Sequence, residues 1–296
     1  MDLEILCNLC PRRCGALRGD DTPGGICRSP LLPRIARAAP HYGEEPCIAG
    51  KNGTGAVFFT GCNLRCVFCQ NRDISRGQGG KSVSTEELRD LLLRLRDSGV
   101  DSIDLVTGTH YIPVIAEALS GLSLGIPVVW NSSGYESVEG LRMLEGLVQV
   151  YMPDFKYWDS AAAMRYSAAA DYPSVAAEAA KEMFRQVGPY ELDGNGLMKR
   201  GLLIRHLILP GRQDDTMNII DFAADSFPED SVLFSLMSQY TPTPGLEKYP
   251  ELSARIDTET NQSLIHYMKV RHLSGFWQDN TSATAEMIPD FDLTGV

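Results

Sequence analysis

The sequence predicts an α/β chain: a parallel sheet with helices outside it, curved into a partial barrel and preceded by a small cysteine-rich lobe. Three observations carry this expectation. From residue 55 onward, short apolar runs alternate with segments of helical period, the pattern of successive βα units. Six strands can be placed, fewer than the eight that close a TIM barrel, so a partial barrel fits best; a doubly wound open sheet is the alternative. Residues 1–50 follow neither period and are rich in Cys, Pro, Gly and Arg. The expected division is a metal-binding lobe over 1–50, the barrel over 51–240, and a C-terminal helix and tail over 241–296 packing on the barrel.

The first strand is the apolar run 56–60, whose continuous hydrophobicity fits a strand buried on both faces. Ser84 and Glu87 have the spacing of a capping box. Leu88, Leu91, Leu92 and Leu95 then recur at helical intervals. Strand 102–107 and helix 114–119 follow, then strand 127–130, helix 137–144 and strand 147–152, which ends at Pro153-Asp154. An alanine-rich helix covers 176–183. Strand 202–209 is stopped by Pro210-Gly211, helix 216–224 and strand 232–237 come next, and a last helix spans 261–270. In either architecture the ligand belongs at the carboxyl ends of the strands.

Composition narrows the function classes. Apolar residues make up 44% of the 296, enough for a large core, and charged residues 22%. The net charge of −11 makes nucleic acid a poor partner. No stretch approaches the ~18 consecutive apolar residues that span a bilayer. The start, Met1-Asp2-Leu3-Glu4, lacks the basic region of a secretory signal, so a cytoplasmic location is expected. All eight cysteines fall between Cys7 and Cys69, a clustering that argues for metal ligation over disulfides.

The strongest motif is Cys62-x3-Cys66-x2-Cys69, directly after the first strand. Three thiolates from one tight loop can hold three irons of a cubane cluster. With no fourth cysteine at matching spacing, one iron stays open to an external ligand. Zinc prefers four ligands and suits the triplet badly. Asn63, Leu64 and Phe68 are placed to wall the metal from water.

These residues resemble the signature of the radical S-adenosylmethionine (SAM) superfamily, with Phe68 matching its usual aromatic near adenine. Gly79-Gly80-Lys81 with Val83, Thr85, Glu86, Glu87 and Leu88 resembles the glycyl-radical-enzyme activases, such as that of pyruvate formate-lyase. So do Asp154-Phe155-Lys156 and Leu209-Pro210-Gly211 with Asp214-Asp215. Over roughly 55–240 the resemblance implies a partial (β/α)6 barrel of the TIM type, a [4Fe–4S] cluster, SAM as cofactor and a 5′-deoxyadenosyl radical that abstracts hydrogen. It also implies a protein partner, a glycyl radical enzyme, and a flavodoxin or ferredoxin-type reductant. Where activases carry Gly-Gly-Glu at the end of the second strand, this chain reads Thr107-Gly108-Thr109-His110-Tyr111, like a branch of activase-like proteins with Thr-His-Tyr in that place.

Other candidates lie at strand ends. Thr107, Thr109 and His110 are expected to replace Gly-Gly-Glu as polar contacts to SAM, the alternative being a satisfied histidine at a helix start. Asn131, Ser132, Ser133 and Gly134 follow the third strand; Asn131 and Ser133 are candidate cofactor contacts, or merely precede an ordinary N-cap. Asp154 and Lys156 share a strand face, so Lys156 would meet the cofactor's carboxylate or ribose with Asp154 orienting it. Asn71 in the cluster loop and His206 in strand five complete the cofactor set. Of the neighbours Arg205 and His206, at most one points inward. Gln239 and Tyr240 end strand six.

Cys7, Cys10, Cys14 and Cys27 form a possible second metal site, with zinc favoured over an auxiliary iron–sulfur cluster. Cys47 is expected to be a buried bystander. The leading function is thus a radical SAM activase. The second reading is radical modification of a peptide, small molecule or tRNA, and the third a non-catalytic iron–sulfur electron carrier.

Overall fold

The computed structural model describes residues 5–278 and 289–296. The tetrapeptide 1–4, read above for a signal, and residues 279–288 of the expected tail lie outside the described residues.

In chain order the strands are β1 (Ile5–Cys7), β2 (Ala16–Arg18), β3 (Arg34–His41), β4 (Thr54–Phe59), β5 (Lys81–Ser82), β6 (Ser102–Val106), β7 (Val128–Ser132), β8 (Val150–Pro153), β9 (Glu191–Leu192), β10 (Met198–Leu207), β11 (Leu233–Met237) and β12 (Gly275–Trp277). The helices are α1 (Pro46–Ala49), α2 (Arg72–Ser75), α3 (Thr85–Asp97), α4 (Ile112–Leu119), α5 (Val138–Arg142), α6 (Ser160–Ser167), α7 (Tyr172–Val187), α8 (Gln213–Ser226) and α9 (Thr258–Val270).

All six expected strands are present, as β4, β6, β7, β8, β10 and β11. They pair in parallel and in sequence order. The order never reverses, so there is no topological switch point, and the doubly wound alternative falls. The sheet ends on β5 at one side and β12 at the other, an open partial barrel. Its strands are continuous apolar runs because both faces are covered: β4, β6, β7 and β8 are buried throughout. Trp130, Tyr151 and Phe59 are among the largest side chains fully enclosed.

Local signals set the helix starts. Ser84 accepts from the Glu87 amide at 3.1 Å while Glu87 Oε2 accepts from the Ser84 amide at 2.8 Å, the capping box read from the sequence. Ser137 caps α5 by accepting from Gly140.

Several elements depart from expectation, among them the β1–β2 hairpin of the lobe and helix α6. Residues 34–41 are not irregular: they form β3, antiparallel to β4, with Ile35 and Ala36 fully buried. Pro40 near its end, Arg34 at its start and Arg37 inside it masked the strand. Beyond α9 the chain adds β12 parallel to β11. A Cβ at Gly275 would lie 2.0 Å from the Phe234 carbonyl oxygen, so only glycine allows that approach. The terminal segment returns to β3 through Leu293 N–H to Ala36 O (3.0 Å) and Ala38 N–H to Thr294 O (2.9 Å). Among the described residues no helix is long and apolar enough to cross a membrane.

Candidate functional site

A cavity of about 240 Å³ opens at the carboxyl ends of the parallel strands. The loop after β4 supplies Cys62, Cys66 and Cys69; later strand ends supply Thr107, Asn131, Ser133, Asp154, Lys156 and Arg205.

The cysteine loop is held from several sides. Gly61 takes φ of 96°, and a Cβ there would meet Ser29 Oγ at 2.1 Å. The amides of Leu64 and Arg65 donate to Cys62 Sγ at 3.4 and 3.5 Å. Asn63 Nδ2 donates to Tyr135 O at 2.7 Å, and Arg12 of the lobe donates to the carbonyls of Asn63 (2.8 Å) and Ser167 (2.6 Å). Burial pushes the Cys62 thiol up to about 12 and raises that of Cys69 as well. Leu64 and Phe68 are buried beside the thiols, and the Phe68 ring meets Tyr157, Tyr166 and Tyr240 edge-on at 6.1 to 6.4 Å. Asn71 lines the cavity just before α2.

The floor is a buried charge network. Arg205 donates to Glu44 (2.8 Å), to Asp154 (2.9 Å) and to Asn131 Oδ1 (2.7 Å), and lies 3.5 Å from Glu45. Asn131 Nδ2 donates to Asp104 at 3.1 Å. Lys156 Nζ pairs with Asp154 at 2.5 Å. Burial alone would raise Asp154, but Arg205 and Lys156 hold its carboxyl below the usual range. Burial opposes the Lys156 charge, yet Asp154 and the thiols of Cys66 and Cys69 keep its pKa raised. Burial, reinforced by Glu44 and opposed by Arg205, lifts Glu45 to about 7. Ser133 Oγ is buried with no partner among the described residues. Thr107 lines the wall with φ of 60°, a left-handed backbone rarely taken by a β-branched residue.

Three expected cofactor contacts do not line this cavity. Thr109 Oγ1 donates to buried Glu136 at 3.0 Å, alongside Trp130 Nε1 at 2.6 Å and Ser132 Oγ at 2.8 Å; these three donors offset the burial that raises the Glu136 carboxyl. His110 Nε2 meets Thr60 O at 2.9 Å and the residue borders the cysteine lobe instead. His206 is a satisfied core histidine, its nitrogens 2.6 Å from Phe155 O and 2.9 Å from Thr216 Oγ1. Its neighbour Arg205 takes the inward position, as strand alternation demands. Tyr240 turns its hydroxyl to Leu252 O at 2.7 Å, while Gln239 lines the cavity. Glu44, Glu45 and Asp104 were not anticipated; the Glu-Glu pair before Pro46 lies in a segment without periodicity, and Asp104 is a lone acid in an apolar strand. Cys47 is buried away from both groups, in a small apolar cluster with Ile48 and Val150.

The donor set suits a cluster better than a lone ion. Among the described residues no three His, Cys, Asp or Glu side chains stand close enough to share one metal ion. Three loop thiols line one cavity, a donor set of the kind that holds an iron–sulfur cluster. Open space lies before them, and Ser133, whose buried hydroxyl has no partner among the described residues, lines the same cavity.

Comparison with known proteins gives a consistent picture. A family model described as the radical SAM superfamily matches residues 56–188. An uncharacterized protein of Methanocaldococcus jannaschii is 31% identical over 265 residues, covering 86% of this chain and 71% of that protein. A pyruvate formate-lyase-activating enzyme from Clostridium pasteurianum is 50% identical over 40 residues, 14% of this chain and 17% of that enzyme. Among solved structures, Streptococcus suis SuiB bound to S-adenosylmethionine aligns with a TM-score of 0.53 at 16% identity, over 73% of this chain and 47% of SuiB. SuiB bound to precursor peptide SuiA aligns with a TM-score of 0.51 at 15% identity, over 73% of this chain and 46% of SuiB. The chain thus spans about half the length of SuiB, and the likeness is one of fold.

Proposed function

The chain belongs to the radical SAM superfamily, and from that premise we propose that Cys62, Cys66 and Cys69 hold a [4Fe–4S] cluster facing the 240 Å³ cavity. The observation that carries this reading is the meeting of the three loop thiols with Asp154, Lys156 and Ser133 around one space. Membership of the superfamily implies the cluster and SAM. When bound, they supply a 5′-deoxyadenosyl radical by one-electron reductive cleavage of the sulfonium.

The chain's own residues bind and orient. Lys156, kept charged by Asp154, offers an ammonium to a carboxylate or ribose oxygen. Ser133 Oγ has donor and acceptor capacity unspent. Asn131 lines the cavity but is engaged on both sides by Arg205 and Asp104, so it braces the floor. Leu64 and Phe68 exclude water from the thiols, and the amides of Leu64 and Arg65 stabilise negative charge on Cys62.

The finer reading is an activase that abstracts hydrogen from a glycine of a partner protein, with a flavodoxin or ferredoxin-type donor. The Gly79-Gly80-Lys81, Asp154-x-Lys156 and Pro210-Gly211 matches support it, as does the short segment shared with a pyruvate formate-lyase-activating enzyme. The test incubates reduced protein, SAM and a candidate glycine-loop protein and looks for a glycyl radical by electron paramagnetic resonance. Formation of 5′-deoxyadenosine with no glycyl radical on any candidate defeats the activase reading and leaves the cluster reading standing. Modification of a peptide or small molecule is the second reading, supported by Thr107-Gly108-Thr109 in place of Gly-Gly-Glu.

A further inference from the structure

The chain carries a net charge of −11, yet the two stretches that meet at the cluster loop are basic. Residues 5–40 hold six arginines against two aspartates, and residues 61–81 hold three arginines and one lysine against one aspartate. The stretches come together at Arg28, Arg65 and Arg76. Arg65 stands between Cys62 and Cys66, and its Nη1 donates to Ile26 O of the lobe at 3.3 Å. Gly77, next to Arg76, lies so close to Arg28 that an added Cβ would be 3.0 Å from both Arg28 Cβ and Arg28 O. Among the described residues none of these three guanidiniums forms an ion pair, and Arg65 Nε is buried without a partner. Burial, joined by the charges of Arg28 and Arg76, pulls the Arg65 pKa down, the mark of cations left to repel one another. Such a cluster in an acidic chain makes a local field opposite in sign to that of the whole.

The backbone supplies an independent observation. Arg28 takes φ of 54° and Arg65 φ of 58°, a left-handed region that L-residues rarely enter and glycine enters freely. At both turns the chain keeps a guanidinium where glycine would sit with less strain.

Position decides what such a patch can serve. None of the three arginines lines the cavity at the strand ends, although Cys62, Leu64 and Cys66 on either side of Arg65 do. The Arg65 side chain goes to the lobe, while its amide stays 3.5 Å from Cys62 Sγ. The patch therefore begins one residue from a cluster ligand and outside the space that SAM would fill. Ile26, whose carbonyl Arg65 holds, is an exposed apolar side chain beside it. The cavity floor has the opposite balance: Glu44, Glu45, Asp104 and Asp154 stand against Arg205 and Lys156. An acidic surface is thus drawn to the arginines and repelled from the cavity.

We propose that Arg28, Arg65 and Arg76 form the docking surface for a small acidic protein that delivers single electrons to the cluster held by Cys62, Cys66 and Cys69. One electron leaves the carrier, which is oxidised by one, and enters the cluster, which is reduced by one; no bond forms or breaks. Charge and place together fix the occupant. Three unpaired cations select an acidic surface, and a position one residue from Cys62 suits a partner whose cargo is an electron. Nucleic acid fits less well, because a polyanion running past the patch meets the acidic remainder of the chain. The inference rests on the cluster reading and is independent of the activase reading.

The test uses iron-loaded full-length protein and, as probe, flavodoxin, an acidic one-electron carrier. Calorimetry should show binding that weakens at least tenfold between about 0.05 and 0.5 M salt. Arg28→Glu with Arg76→Glu should weaken it by at least about tenfold at low salt and slow cluster reduction by flavodoxin hydroquinone to match. Iron content, and 5′-deoxyadenosine formed with dithionite in place of flavodoxin, should stay within about twofold of the parent. Since charge reversal can disturb the fold, Arg28→Gln with Arg76→Gln gives a second measure, with a smaller loss in the same direction. Absence of flavodoxin binding, or binding that neither salt nor the variants alter, overturns the assignment and leaves the cluster reading standing. An arginine-dependent affinity for a short RNA in place of flavodoxin overturns it too. A parent protein that forms no 5′-deoxyadenosine with dithionite takes the cluster reading down with it.

Discussion

Two cysteine regions lie side by side in this molecule and differ mainly in what stands before the thiols. Cys62, Cys66 and Cys69 look onto about 240 Å³ of space at the strand ends, lined by charged and hydroxyl groups. Cys7, Cys10, Cys14 and Cys27 enclose about 10 Å³. The ligand atom is the same, so the free room decides whether bound metal can meet a second molecule. The first region has room for a second molecule beside its thiols, and the second does not.

The largest effect that tests this contrast is on the open side. Cys66→Ser should remove the iron and lower 5′-deoxyadenosine formation by on the order of 10³-fold or more, measured by chromatography of quenched reactions. Iron and activity retained by the variant would show that the open-side thiols do not carry the reaction.

The two buried histidines sharpen it next. His206 has both nitrogens engaged, and burial pushes its pKa down to about 4. The native state therefore binds fewer protons than the unfolded chain between about pH 4 and 6.5. Its stabilising contribution is complete above pH 6.5 and is lost as pH falls toward 4, by about 3 kcal/mol. Denaturant melts of the protein and of His206→Gln across that range should converge at low pH; parallel curves would show that His206 does not titrate so.

Lys156→Ala should weaken SAM binding about 10–100-fold, equivalent to roughly 1.4–2.8 kcal/mol, read by calorimetry on the iron-loaded protein. Unaltered affinity would place the cofactor elsewhere in the cavity. Arg12→Ala should destabilise the fold by about 1–3 kcal/mol through the unsatisfied carbonyls it leaves, while iron remains. A change in metal content instead would mean the lobe and loop are one ligand system.

Legibility followed the reach of the signal. The capping box at Ser84 and the leucines after it are local and were readable, as were six strands marked by short, largely apolar runs, four of them buried throughout. The cysteine spacing and the strand-end Asp154-x-Lys156 were readable for the same reason. What failed needed partners far along the chain. Strand β3 is defined by pairing with β4, not by its own composition. Arg205 acquires its place from Glu44, 161 residues earlier. Thr109 and His110 were assigned to the cavity because they follow a strand end, but the turn after Thr107 carries them to Glu136 and to Thr60.

Thr107 itself keeps φ of 60° just after β6 and lines the cavity. Glycine would relieve about 1–2 kcal/mol there, so Thr107→Gly should melt at a higher temperature than the parent. A residue that makes its protein less durable than the simplest replacement is held by something other than durability. If Thr107 serves the cavity's occupant, a more heat-resistant Thr107→Gly protein should grip SAM less well; equal affinity would free the residue from that role.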